Sequence, residues 1–531
     1  HLFFSIFDSR DMLNTSVSIY ELRDMSVAVE TNLATGEQVI NYSKYGLGLP
    51  LFLVPFLFLN DILYKLFGDI DSNIILAIPN ILVLAAIAQI VCLIIVEMGY
   101  GYKRGLFLSL LSIFGTFMFP YAYFFFSEPL QALCITLTFF CLYKARKAES
   151  DNNAYLFLVL GGIAYSYGIF TKPAVLIFMP LFALYVLLCV LRDNNKKILP
   201  SISSFILPIS IFGILIAYLN YYRFGSILDF GYGDEASMFI NPISKGILNF
   251  IFNPDKSLFL FAPVMLFFPY VLWKFLKIFR EEGILIISLI VSNLIFYSAW
   301  WAWEGGSNWG PKFLLPLIPL SIIPFVAILH QRFLKIAICF LFAVGFLINL
   351  LVVLQDFTGY NYIVLKSTEG MELNIDRPKK DYLVDKKGYK QVPPHVVTST
   401  LPQFSTMRGL FWLSRAKYEG WLNGYGLSNK NRTFQNPPWI KDFPQRKVPD
   451  IYRLPKEMGI RIDCPSPILL SYLICPDLKP SKPYFYDALM KQADKAESLG
   501  YKRKALSIRR KAYREGKERS KRMIQMSSPY S

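Results

Sequence analysis

The side chains with types and spacing suited to chemistry are few and fall at the margins of apolar runs. Asp8 and Asp11 open a polar stretch, residues 8–46, wedged between two very apolar regions, and Lys44 closes it in YSKYGLGLP. Further on, Glu128 stands in FFFSEPLQAL, Lys172 in FTKPAV and Lys312 in WWAWEGGSNWGPKFLLPLIP. An ionised carboxylate takes a proton from an attacking hydroxyl. A lysine ammonium stabilises the charge that develops on a departing phosphate. Tyr42, Tyr45, Trp303, Glu304, Asn308 and Trp309, together with Gly305 and Gly306, add aromatic faces, polar groups and room for close backbone approach, which suit a sugar ring. The chemistry these types suit is transfer between a lipid phosphate and a hydroxyl at the lipid–water boundary.

Each residue also has a plainer role. Tryptophan and tyrosine at a membrane interface form belts, and Lys44, and still more Lys172, also fit snorkelling anchors. Asp11 reads as a helix cap, Asp24 as a solvated charge, and Glu128 before Pro129 as a first-turn acid favoured by the helix dipole. The functional reading rests on joint placement, so the elements that position these residues decide it.

Those elements are membrane helices. The 531 residues are 54% hydrophobic and 16% aromatic, which excludes an ordinary soluble domain. Apolar runs long enough to cross a bilayer fall at 74–98, 105–124, 128–146, 154–170, 172–191, 203–222, 257–276, 283–300, 311–329 and 333–354. The chain starts at His1, and HLFFSIF reads as the last turns of a truncated first span. Basic residues cluster in every second connection: Lys103/Arg104, Lys144/Arg146/Lys147, Arg192/Lys196/Lys197, Lys274/Lys277/Arg280 and Arg332/Lys335. The positive-inside rule makes these connections cytoplasmic and sets Glu128, Thr171, 223–256 and 301–310 outside.

The run Leu47 to Leu66 decides the side of the first loop. Residues 8–46 carry Asp8, Asp11, Glu21, Asp24, Glu30 and Glu37 against Arg10, Arg23 and Lys44, which is no inside signature. Pro50 and Pro55 interrupt the run, and Asn60, Asp61 and Lys65 load its far end with polar groups. The expectation is an interfacial segment rather than a crossing, with the whole loop outside.

Beyond Leu354 the composition changes. Residues 355–481 read as an irregular extracytoplasmic region and 482–531 as a basic helical tail, setting off 1–354 as the membrane domain. From Lys491 to Arg522 there are thirteen Lys/Arg against four Asp/Glu, about half of the net charge of +17. Its AESLGYKRKALSIRRKAYREG resembles a tetratricopeptide-type helix–turn–helix, which cannot bury its own face alone. The seven cysteines have no metal spacing; a Cys464–Cys475 disulfide and two thiols are both open readings. Asn14, Asn41 and Asn431 sit in N-x-[ST] triplets, which are frequent by chance.

An early acid, then YSKYGLGLPL, FSEPLQAL, NPDKSLFLFAPV and WEGGSNWGPKFLLPLIP, in that order, resemble the GT-C glycosyltransferases, specifically family 39-like enzymes related to protein O-mannosyltransferases and the lipid A aminoarabinose transferase. The resemblance covers about residues 1–354. It implies an all-α polytopic bundle of about 11 transmembrane helices, the first truncated, with juxtamembrane helices in the first outer loop and a small C-terminal extramembrane region. It implies a polyprenyl-phosphate sugar donor, transfer with inversion outside the cytoplasm, a catalytic acid at Asp8 or Asp11, a phosphate-contacting Lys44 and a second-loop acid at Glu128. The chain has DSRD where the family more usually has an Asp-Glu pair.

The expected activity is therefore lipid-linked sugar transfer to a lipid, glycan or protein acceptor, in a membrane-embedded chain that needs no nucleic acid. Lys172 and Lys312 join Lys44 near the donor phosphate. No cofactor or metal is expected, since the lysines supply the cation and the histidines are only His1, His330 and His395. The rival readings are a transporter or flippase without covalent chemistry, which would place its ionisable groups near mid-membrane, and a metal-dependent transferase on the same scaffold.

Overall fold

The computed structural model describes residues 7–31, 38–67, 72–122, 124–192, 197–354, 390–411 and 484–512, with short pieces at 360–361, 364 and 383–384. It is mostly helical. The ten apolar runs expected to cross a membrane all fold as helix, but in two ways. Continuous helices are α3 (Ser72–Glu97), α5 (Glu128–Lys147), α6 (Asp151–Thr171), α8 (Ile198–Phe224), α12 (Arg280–Ala299) and α14 (Arg332–Leu354). The other runs are broken. The second stops as α4 (Tyr102–Phe114) before a 3-10 turn, Phe119–Ala122. Pro173 opens a 3-10 segment before α7 (Met179–Arg192), and beyond α9 (Ile243–Phe252) Pro263 and Pro269 divide α10 (Leu258–Phe261) from α11 (Phe268–Leu276). Pro316, Pro319 and Pro324 cut 312–328 into three short helical pieces, the middle one α13 (Ile318–Ile322). Each proline removes an N–H donor and crowds the preceding turn. Among the described residues, seven helices are long and apolar enough to cross a membrane, which marks an integral membrane protein.

Packing follows membrane rules, in which small residues let backbones approach. Helix α6 packs tightly against both α5 and α8. A β-carbon at Gly162 of α6 would run into the Phe205 carbonyl of α8.

The bundle has two chemically distinct ends. At one, Lys144 Nζ lies 2.9 Å from Glu97, Lys147 donates to the Glu97 carbonyl, and Arg146 pairs with Glu281 and Glu282. Tyr185, two turns before Arg192, donates to Glu282 at 3.0 Å. The turn after Glu97 leads into Lys103 and Arg104, and Arg280 adjoins Glu281. The basic residues at 103–104, 144–147, 192 and 280 thus gather at one end. Glu128, at the start of the 20-residue helix α5, stands at the other, ~30 Å away at 1.5 Å per residue.

The first loop differs in detail from the expectation. It begins with helix α1 (Phe7–Leu22) and continues as an antiparallel hairpin, β1 (Ser26–Thr31) with β2 (Gln38–Tyr42), where no strands were expected. A second two-stranded ribbon joins Leu383–Val384 to Lys390–Gln391. The Leu47–Leu66 run is not broken by its prolines: α2 (Gly48–Phe67) is one helix with Pro50 in its first turn and Pro55 inside, and its length and composition suffice to cross. Its far end is nevertheless bound to charge, because Tyr20 and Lys511 each reach Asp61 at 2.8 Å. That contact gives the Asp61 carboxylate a cation and a hydroxyl in place of hydrocarbon.

Candidate active site

The site end is assembled where the α2 start, the α6 end, the α5 start and the loop after α12 converge. Gly46 and Gly48 make this convergence: a β-carbon on Gly46 would collide with the carbonyl oxygens of Phe170 and Thr171, and one on Gly48 with the Thr171 side chain. Tyr167 closes the contact by donating to the Gly48 carbonyl at 2.8 Å. Lys44 and Lys172 are thereby held on adjacent backbone segments.

Lys172 Nζ is 3.0 Å from Glu128 Oε1. Glu128 is buried, and its Oε2 accepts no hydrogen bond from the described residues. Two aromatic rings floor the pair: Lys172 lies 4.7 Å from the Phe313 ring centroid, and Phe313 stacks on Tyr297 at 4.1 Å. Buried Lys312 comes from the other side, over Phe126 at 4.8 Å and Phe313 at 5.3 Å. Two lysines and one carboxylate thus share buried, aromatic surroundings in which electrostatic interactions are strong.

Lys44 is half-buried and bonded to Glu235 Oε2 at 2.6 Å. Glu235 belongs to the 3-10 turn Gly233–Ser237, in the connection after α8. The Lys44 ammonium also lies 5.5 Å from the Tyr232 ring and 5.9 Å from that of Tyr45. Arg223, at the end of α8, reaches the carbonyls of Ser43 and Tyr45 at 3.4 and 3.5 Å. Tyr42 packs edge-on to Tyr222 and Phe224. Burial, with the neighbouring Tyr222 and Asp24, pushes its phenol up to about 12.

A second charged group lies in the turn 253–257, packed against the loop after α12. Lys256, from NPDKS, is buried and donates to the Asn308 carbonyl at 2.8 Å and to Asn308 Oδ1 at 3.2 Å. Burial pulls its ammonium below the ordinary lysine value, against the opposing pull of Asp255 and Glu304. Asp255 accepts from Thr398 Oγ1 at 3.0 Å and the Thr406 N–H at 2.9 Å, which fastens segment 393–406 to this turn. His395 Nε2 stands 3.9 Å from buried Glu304.

Several residues expected to bind substrate are placed otherwise. Trp309 is fully buried, donates from Nε1 to Asn349 at 2.9 Å and packs edge-on to Phe261, so it anchors α14 rather than walling a pocket. Trp303 is buried edge-on to Phe250. Asn308 spends its amide within its own loop, on the carbonyls of Glu304, Gly305 and Gly306 and on Lys256. Asp11 lies in α1, half-buried, and Asp8 in its first turn, outside the residues with described side chains. The Asn14 triplet is buried in α1 and closed to modification, and Cys464 and Cys475 lie outside the described residues. Among the described residues, no three His, Cys, Asp or Glu gather in a metal-binding arrangement.

Sequence reasoning passed over Arg223, Glu235, Lys256 and His395. Only Lys256 carried a signal, as a lone lysine at the head of an apolar run in NPDKSLFLFAPV.

Comparison with known proteins bears on this arrangement. Residues 43–225 match the family model of dolichyl-phosphate-mannose-protein mannosyltransferase, a segment that begins one residue before Lys44 and includes Glu128 and Lys172. The match spans about a third of the chain, and it makes that segment similar to this mannosyltransferase family. No curated protein matches it. Among solved structures, ArnT from Cupriavidus metallidurans in the apo state aligns with a TM-score of 0.43 at 14% identity, over 78% of this chain and 68% of that one. The same protein bound to undecaprenyl phosphate aligns with a TM-score of 0.40 at 14% identity, over 78% and 69%.

Proposed function

We propose that this membrane glycosyltransferase moves a sugar from a polyprenyl-phosphate donor to an acceptor hydroxyl, with inversion, on the extracytoplasmic side and without a metal. The observation that carries the reading is the convergence of Lys44, Lys172 and Glu128 at the end of the bundle opposite the basic clusters. Basic connections face the cytoplasm, which would turn this end outward. A polyprenyl-phosphate sugar is the donor class in the name of the family that residues 43–225 match.

In this reading the donor lipid lies along the apolar margin, with its phosphate at Lys44 and its sugar toward Glu128. The acceptor oxygen attacks the anomeric carbon from the face opposite the phosphate. The bond from that carbon to the phosphate oxygen breaks, and its electron pair leaves with the polyprenyl phosphate. Asp8, with Asp11 as the other candidate, takes the hydroxyl proton. Glu128, fixed through one oxygen by Lys172, has its second oxygen to orient a sugar hydroxyl. Lys44 meets the charge growing on the leaving phosphate, the task a metal performs in other transferases.

The test is incubation of the purified protein with a panel of polyprenyl-phosphate sugars and an acceptor mixture, following release of lipid phosphate. Release that disappears in Lys44→Ala supports the reading. Movement of intact donor across a vesicle membrane without release would replace it with a flippase.

A further inference from the structure

The C-terminal helices are built onto the helix that carries the early acids. Helix Tyr484–Ser498 turns at Gly500, with φ +82°, into a second helix over 502–512, and Arg509 bonds back to Asp494 at 2.8 Å. Leu489, Ala493 and Ala496 of the first, and Ala505, Ile508 and Ala512 of the second, recur at helical spacing. They form a buried core with Leu13 and Val17 of α1 and Leu57 of α2. The pair thus buries on α1 and α2 the face it cannot bury on itself.

Polar contacts fix the register of this core. Lys495 is buried; its Nζ donates to Ser18 Oγ at 2.8 Å and the Ser26 carbonyl at 3.1 Å, and it pairs with Asp24. Gln492 donates to the Asn14 carbonyl at 3.1 Å. Lys511 bridges Glu21 at 2.6 Å and Asp61 at 2.8 Å. On α1 the gripped residues Asn14, Ser18 and Glu21 lie four and three apart, one stripe beside Leu13 and Val17. An apolar residue would fill the place of Lys495 with less desolvation. A buried ammonium with several fixed acceptors allows one rotation and one register of α1, which alanine packing alone does not.

We propose that the C-terminal helix pair is a positioning element of the active site, with Lys495 setting the rotation and register of α1 and so the placement of its acid-bearing first turn. The proposal rests on the sugar-transfer reading above. A general base must stand within hydrogen-bond reach of the hydroxyl it deprotonates, and α1 owes its placement to contacts with α2, β1 and the helix pair.

The experiment compares full-length wild type with Lys495→Met, Lys495→Arg and the exposed control Arg510→Ala, reconstituted in lipid. Amide hydrogen exchange is followed over 12–22 and 128–147, alongside kcat and donor KM. In Lys495→Met, exchange over 12–22 rises about tenfold while 128–147 stays protected. Its kcat falls about a hundredfold with donor KM within about twofold, the signature of a displaced catalytic group. Lys495→Arg restores most of that rate, and Arg510→Ala matches wild type. Wild-type exchange over 12–22 in Lys495→Met overturns the proposal. So does a uniform loss of protection that Lys495→Arg fails to rescue. If wild type releases no lipid phosphate from any donor, the sugar-transfer reading fails by itself, and the exchange pattern still decides whether Lys495 fixes α1.

Discussion

Lys172 and Glu128 meet at 3.0 Å across the gap between the end of α6 and the start of α5, where the carboxylate is buried and the lysine nearly so. The pair ties two helix ends together at the site. Removing one partner leaves the other's charge stranded. Lys172→Met should destabilise the protein by about 3 kcal/mol, whereas Glu128→Gln combined with Lys172→Met should recover most of that loss. Chemical denaturation of the variants in one detergent measures both. Equal destabilisation in the single and double variants would show that the two side chains do not act as a pair.

This contact was partly legible beforehand. Glu128 and Lys172 are lone charges beside Pro129 and Pro173 at the margins of apolar runs, a position that joins a helix end to a polar surface. The apolar runs and the alternation of basic connections were legible for the same reason, because hydrocarbon penalises charge along every span. What could not be read were partners set by tertiary packing. Lys44 and Glu235 are 191 positions apart, and nothing local to either names the other. Trp309 shows the opposite failure: a tryptophan in a Gly-rich interfacial loop reads alike whether it faces a substrate or donates to Asn349. Proline read locally marks a stop, yet α2 runs unbroken through Pro55 because the neighbouring elements hold the helix together.

The division of labour between Asp8 and Asp11 gives a kinetic prediction. Both lie in the first two turns of α1, and only one can be the base for a given hydroxyl. Asp8→Asn should lower kcat about a thousandfold with unchanged donor affinity, while Asp11→Asn stays within about threefold. Steady-state rates and donor-binding titration distinguish them. The reverse order would move the base to Asp11, and two active variants would remove α1 from the chemistry.

Glu235 occupies the position at Lys44 that the donor phosphate would take in the proposed reaction, so the carboxylate would compete with the phosphate. Because both side chains are partly exposed, the pair is worth no more than about 1 kcal/mol. Glu235→Gln should therefore tighten donor binding by up to about fivefold. Lys44→Ala should weaken it by far more, through loss of a charge-assisted phosphate contact. Titration with the polyprenyl phosphate alone, at two salt concentrations, measures both changes. Weaker binding in Glu235→Gln would mean that the acid holds Lys44 in place for the phosphate.

Close approach at Gly46 joins the Lys44 loop to the end of α6. In Gly46→Ala the new methyl meets the carbonyl oxygens of Phe170 and Thr171, and backbone on both sides must move. The expected loss of stability is about 1–3 kcal/mol. Donor affinity should fall with it, because Lys44 and Lys172 separate. A variant that folds less stably yet binds donor as wild type does would uncouple the two lysines.

The last prediction concerns acid. Burial alone raises Asp24, but hydrogen bonds from Lys495 and Ser26 reverse that and hold it below its ordinary value of 3.8. Burial pulls Lys495 below 10.5 against the opposing pull of Asp24, so the contact favours the charged carboxylate while desolvation disfavours the charged amine. On the acid side only Asp24 changes charge, and its direction governs. A carboxylate lowered on folding contributes its full stability above the unfolded value and loses it as pH falls through the folded one. The stability difference between wild type and Asp24→Asn should therefore be constant from neutral pH down to about 5, then shrink as pH falls through and below 3.8. Thermal unfolding of both proteins across that range measures it. A difference that persists unchanged below pH 3 would mean that the link between α1, β1 and the C-terminal helices does not depend on the Asp24 charge.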